Sequence, residues 1–318
     1  MKRSMVWFVA PLFCLVFLVS HAQANVLNFT RYQIYGADSE PWEEMCRMGK
    51  HHKKKYHVKV KGKKQLSIVK LSGKTNHFGI DISQNPPAYI DYHATVPGVK
   101  VWISEYPFTR NLDIQTDETG WWSLYVIKYK DVDLEFSFVY EKEGWVTTKT
   151  NAITVTDEDN TDLAIQYIDP NYYYIVLKPT VESMMLNMGY PDFSLENALV
   201  VTVGKSWASM HDDRLPHGDP GATVSLMPDT NQAIGPIYFN EAVQPDITYP
   251  ATSVDGGVTW LNVPTGETYF VTAEKPGVEY ETVKFKIEPA DTEKGIELYI
   301  ASPPDSVQGD NDSPPGDY

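Results

Sequence analysis

Apolar and polar residues alternate along much of this chain. Val99, Val101 and Ile103 alternate with Lys100, Trp102 and Ser104, the two-residue period of a strand with one buried face. The same period returns at Ile153 and Val155 and at Phe285 and Ile287, and further strands are expected at Leu66–Leu71 and Ala198–Val203. Glycine and proline interrupt these runs roughly every 8–12 residues, as in short strands joined by tight turns. No stretch longer than about ten residues carries a helical stripe. One short helix is expected over 41–48, where Trp42, Met45 and Cys46 share a face. The chain reads as mainly β.

The pattern occurs twice. Pro97-Gly98 leads through Thr116-Asp117-Glu118-Thr119-Gly120-Trp121-Trp122 to Glu141-Lys142-Glu143-Gly144, and closes on Asp157 with Leu163 and Ile165. Pro220-Gly221 leads through Thr252-Ser253-Val254-Asp255-Gly256-Gly257-Val258-Thr259-Trp260 to Glu274-Lys275-Pro276-Gly277, and closes on Asp291 with Leu298 and Ile300. One order of turns and strands repeated along a chain predicts tandem copies of one β unit. The second copy reads as carrying one added residue in its central turn. Gly120 and Gly257 are expected to take positive φ there, and Asp117 and Asp255 to cap the turns by accepting backbone N–H groups.

The ends frame these copies. Lys2 and Arg3, an apolar run from Met5 to Val19 and Ala22-Gln23-Ala24 form the three zones of a secretory leader over 1–24. No later segment has the roughly 20 apolar residues of a membrane span. Residues 25–62 form an N-terminal segment, 63–180 the first unit and 181–303 the second. Residues 304–318 hold too little apolar surface to pack and are expected to be disordered. Leader removal takes two of the 27 basic residues and none of the 42 acidic ones, leaving a formal charge of −17. That balance argues against nucleic acid or anionic lipid as the partner. It also leaves Cys46 as the sole cysteine, which excludes an internal disulfide and leaves burial, a reactive thiol or a bridge to another chain.

The Pro-Gly opening followed by alternating strand residues, the Thr-x-x-x-Gly turn into an aromatic strand and the late Lys-x-Gly turn carry a resemblance. Each copy resembles the carboxypeptidase regulatory-like domain. That resemblance implies two tandem prealbumin-like (Ig-like) β-sandwich domains of about seven strands each, and says little about function, since such domains accompany many unrelated proteins. The catalytic domain of the zinc carboxypeptidases would need a His-x-x-Glu pair, which the chain lacks. Gly204-Lys205-Ser206-Trp207-Ala208 lacks the second glycine of a nucleophile elbow.

Two groups of residues remain as candidate sites. His211, Asp213, His217 and Asp219, in a Pro-Gly-rich loop, offer imidazole and carboxylate ligands to a divalent metal. The same loop also reads as a solvated turn in which Arg214 pairs with its acidic neighbours. Trp121, Trp122 and Trp145 form an aromatic set for a ligand. Adjacent strand residues point to opposite faces, so Trp121 and Trp122 do not share a core, and an exposed ring there stacks on sugar or contacts protein. No cofactor is expected beyond that metal. The sequence thus reads as a secreted or periplasmic, non-catalytic binding or structural module, an accessory subunit of an envelope or cell-surface complex. Protein is the first partner and polysaccharide the second, with a metal-dependent protein as the alternative.

Overall fold

The computed structural model describes residues 32–36, 66–85, 88–89, 94–204 and 218–301. The leader, the helix expected over 41–48 with Cys46, and the tail lie outside the described residues. The strands run, in chain order, β1 (Tyr32–Gly36), β2 (Leu66–Phe78), β3 (Ile80–Asp81), β4 (Ala88–Tyr89), β5 (Lys100–Ile103), β6 (Trp121–Tyr129), β7 (Leu134–Phe136), β8 (Phe138–Glu141), β9 (Thr148–Thr150), β10 (Ile153–Val155) and β11 (Asn160–Ile168). After a helical segment come β12 (Ala198–Thr202), β13 (Thr223–Met227), β14 (Ile234–Phe239), β15 (Pro245–Asp246), β16 (Gly257–Leu261), β17 (Glu267–Glu274), β18 (Val283–Ile287) and β19 (Leu298–Ala301). Among the described residues no helix is long and apolar enough to cross a membrane.

The two halves pair their strands in the same way. In the first, one sheet has the order β1-β6-β2-β11, with β2 antiparallel to β6 and parallel to β11. In the second, β14-β16-β12-β19 repeats those senses. The antiparallel trio β5-β8-β9 likewise matches β13-β17-β18. β1, from the segment expected to precede the first unit, pairs with β6 as β14 pairs with β16.

Hydrogen bonds give the residue-level correspondence. Thr116 Oγ1 donates to the Val96 carbonyl and accepts from Val99 N–H, at 2.7 and 2.9 Å. Thr252 Oγ1 does the same with Asp219 and Ala222, at 2.6 and 2.9 Å. From these anchors the central turns align without a gap: Gly120 N–H donates to Asp117 and Gly256 N–H to Ser253. The expectations for this turn need correction in two respects. No residue is added, and the left-handed glycine is Gly256, at φ +73°, matching Gly120 at +77°; Gly257 takes the place of Trp121 on the strand. Asp117 caps its turn as expected, accepting from Thr119 and Trp121 N–H. Asp255 accepts from Gly257 N–H at 3.1 Å but corresponds to Thr119, not to Asp117.

The halves are joined by a strand pair. β9 lies parallel to β19, with Thr148 opposite Leu298, so that the trio of the first half and the quartet of the second, with β15, make one eight-stranded sheet. Its side chains alternate between two cores. Val101, Phe138, Tyr140, Ala198, Leu298 and Ile300 pack with the β2-β6-β11 side, while Trp102, Val139, Leu199, Trp260 and Tyr299 pack with β13-β17-β18. The period-two pattern read at 99–104 is therefore that of a strand covered on both faces, and Trp102 is 1 % exposed.

A helix absent from the sequence expectations covers part of this sheet. A π-helical stretch, Tyr172–Leu177, runs directly into the α-helix α1 (Lys178–Asn187). Pro179 falls in the first turn of α1, where its missing N–H has no partner to lose. Gly189, at φ +83°, ends α1: its N–H donates to Leu186 and that of Tyr190 to Met185, the paired bonds of a left-handed C-terminal cap. Tyr172, Leu177, Val181 and Met185 are buried against the same core as Ala198, Leu298 and Ile300.

Candidate functional site

Two polar arrangements stand out against these apolar layers. The first fastens the halves together. Asp291, fully excluded from solvent, accepts from Lys149 Nζ at 2.8 Å, Tyr299 OH at 2.8 Å, Lys294 Nζ at 2.9 Å and Glu288 N–H at 3.1 Å. Lys149 is equally buried and also donates to the Lys286 carbonyl at 2.7 Å. Burial pushes the Asp291 carboxyl upward, but the Lys149 charge and the Lys149 and Lys294 hydrogen bonds outweigh it and hold the pKa below the ordinary value. In the first half the corresponding closing residue, Asp157, pairs instead with Lys128 of its own half. One aspartate position therefore staples a unit to itself in one copy and to its neighbour in the other.

The second arrangement is a cavity of about 50 Å³ between the Tyr172–Asn187 helical segment and the outer face of β12, β16 and β19. Phe78, Ile168, Leu177 and Val181 form one wall; Val200, Leu261 and Ile300 form the other. Its polar lining comprises Gln166, Thr202, Thr259, Tyr173, Lys178 and Asp255. Asp255 is half-buried overall. Its carboxyl is nevertheless so withdrawn from water that burial, partly offset by the Gly257 N–H, pushes its pKa up to about 7. A carboxyl in that state holds or releases a proton near neutrality. Gly257 makes the arrangement sterically workable: a Cβ there would lie 2.4 Å from Asp255 Oδ2 and 2.8 Å from the Phe239 ring.

The aromatic set separates into three environments. Trp122 is 3 % exposed, its ring 4.9 Å from Phe138 and its Nε1 donating to Tyr140 OH at 3.1 Å. It has no free face for a ligand, which corrects its place in the binding set. Trp121 turns the other way and is 38 % exposed. Trp145 is half-buried and stacks on Tyr167 at 4.8 Å and 22°, with Lys142 Nζ 5.7 Å from its ring centre.

His211, Asp213 and His217 lie outside the described residues. Asp219 is buried, and its two oxygens accept from Lys275 Nζ and Tyr280 OH, each at 2.5 Å. These bonds tie it to the Lys275–Tyr280 stretch of its own half. Among the described residues no group of three His, Cys, Asp or Glu side chains is arranged to hold a metal.

Sequence reasoning did not single out Lys149 or the helical segment. A lone lysine between Thr148 and Thr150 carries no signal of burial, because its partner lies 142 residues away. No family model matches this chain, and no curated protein is similar to it.

Proposed function

We propose that this chain is an exported, non-catalytic binding and structural module of two prealbumin-like sandwiches, acting as an accessory subunit in a periplasmic or cell-surface complex. The observation that carries the reading is an apolar ledge along the helical segment. Ile175, Met188 and Ile247, 58, 38 and 50 % exposed, line an open groove between α1 and β15, and Leu186, 60 % exposed, stands outside that groove on the same helix. Exposed apolar side chains gathered in this way are the usual mark of a surface that another protein covers. The shared sheet supports the same role, because it fixes both units as one body on which such a surface keeps its shape.

The test is affinity purification of the tagged mature chain from its native envelope fraction, with and without reductant, beside the Ile175→Asp, Leu186→Asp variant. A defined partner recovered by the parent chain and lost by the variant supports the reading. Equal recovery by both removes the ledge from it. Release by reductant alone assigns the contact to Cys46.

Exposure of Trp121 favours polysaccharide as a second reading; no retention on envelope glycans would refute it, and retention that survives Trp121→Ala would remove Trp121 from the site. Metal binding at His211, Asp213 and His217 is the third; there Asp219 would have to exchange Lys275 and Tyr280 for the ion. Metal content unchanged in the His211→Ala, His217→Ala variant would dismiss that reading.

A further inference from the structure

We infer that the cavity between the Tyr172–Asn187 segment and the β12-β16-β19 face is a binding site for a small primary ammonium, with Asp255 as its anionic anchor. At the equivalent place on the first half's quartet stands Trp121, with an exposed ring, whereas the second half has Gly257. The missing side chain lets the Asp255 carboxyl and the Phe239 ring close over the strand, with the carboxyl left in the cavity wall. The helical segment then roofs the same face.

Asp255 is poorly compensated where it lies. It accepts one hydrogen bond, from Gly257 N–H, and among the described residues it has no ion-pair partner. A carboxylate in an apolar wall meets its desolvation cost by taking a proton or by taking a cation. Lys178 and Tyr173 are the other titratable groups that line the cavity. Tyr173 stays neutral, burial pushing its phenol up to about 12, and the Lys178 ammonium opposes a doubly charged cation about twice as strongly as a singly charged one. The cavity's 50 Å³ suits about four non-hydrogen atoms on the scale of one water per 10–15 Å³. Its apolar walls accept a short alkyl chain, while the Asp255 end accepts N⁺–H donors, and Thr202 and Thr259 contribute to the polar lining. A primary ammonium with about three carbons meets all three requirements. A metal ion would find one carboxylate and largely hydrocarbon walls.

The experiment titrates the full mature chain with n-propylammonium chloride and, separately, with 1-propanol, following the Asp255 carboxyl carbon by NMR. Proton and ammonium compete for one carboxylate, so propylammonium binding is expected to tighten about tenfold between pH 6 and pH 8, while propanol shows no such gain. Asp255→Asn is expected to weaken propylammonium at least tenfold at pH 8, and Val200→Leu, which narrows the cavity and keeps the carboxyl, to weaken both probes. A thermal melt of each variant verifies folding. The inference is overturned by Asp255→Asn binding as tightly as the parent, by propanol matching propylammonium at pH 8, or by no saturation with propylammonium up to about 100 mM.

Discussion

Replacing Asp291 by asparagine is expected to cost about 3–5 kcal/mol, the range for removing one partner of a buried ion pair. The structure places this substitution at the severe end of that class. The carboxylate is fully excluded from water and accepts from two ammonium groups, a phenol and a backbone N–H. Asparagine fills the same space but is neutral and turns an NH₂ toward donors. Lys149, itself 0 % exposed, then keeps the Lys286 carbonyl at 2.7 Å and the Tyr299 ring, its centre 5.7 Å away, but no anionic partner. Lys149→Met is milder, about 1–3 kcal/mol, because Asp291 retains Lys294, Tyr299 and the Glu288 N–H. The double variant should recover part of the loss, with a coupling of at least about 1.5 kcal/mol. Guanidinium unfolding followed by tryptophan fluorescence reads these values from the midpoint at constant slope. Set against a typical total of about 5–15 kcal/mol, roughly a fifth or more of the stability is at stake. A loss below about 1 kcal/mol for Asp291→Asn, or additive single losses, would refute the claim that this network holds the two halves in register. The pH dependence follows in sign: the folded pKa of Asp291 is depressed, so its contribution is full above the ordinary carboxylate value and lost as pH falls through the folded one. Asp291→Asn should lack that acid limb.

Asp255 should behave in the opposite sense. Between its ordinary value and about 7 the folded chain holds a proton that the unfolded chain has released, so stability falls as pH rises through that window; melts at pH 5 and pH 8 should show Asp255→Asn removing the fall and gaining about 1–4 kcal/mol at the higher pH. Thr116→Val and Thr252→Val each strand a buried backbone N–H, of Val99 and of Ala222, and should each cost about 1–3 kcal/mol by denaturant titration; unequal outcomes would break the equivalence of the two turns. Gly256→Ala combines positive φ with a Cβ 2.4 Å from the Val203 carbonyl oxygen and should cost more than about 2 kcal/mol, whereas Gly277→Ala, at φ +81° in open space, should cost about 1 kcal/mol. Calorimetric melts would rank the pair, and the reverse order would contradict the assigned turn geometry.

The turns are legible in the chain where their bonds are local. Gly120 to Asp117, Gly256 to Ser253, Trp145 to Lys142 and Val278 to Lys275 each close within three residues, so residue type and spacing expose them, whereas Thr116 and Thr252 reach back to the Val96 and Asp219 carbonyls, 20 and 33 residues away, and only the fold shows those bonds. In the second central turn Gly256 and Gly257 are adjacent, and only the backbone shows that the left-handed one is Gly256. The helical segment eluded the pattern for a different reason. Tyr172-Tyr173-Tyr174-Ile175-Val176 favours extended backbone by composition, and Pro179 discourages a helix wherever it does not fall in a first turn. Packing of Tyr172, Leu177 and Met185 on an already formed sheet overrides both. Of the aromatic set, the alternation rule separated Trp121 from Trp122 but could not say which one faced inward.

By itself the sequence determined the β character and the chemistry of its tight turns, both governed by contacts near in sequence. Tertiary structure decided that the trio of one half and the quartet of the other form one sheet, that this sheet is buried on both faces, and that Lys149 meets Asp291. It also decided that Asp255 lies in a cavity wall rather than in water. Those outcomes depend on residues more than a hundred positions apart or on a helix laid across a finished sheet. Local propensity does not encode such meetings; burial of the second apolar face does, because an uncovered sheet would leave Ala198, Leu298 and Ile300 in water.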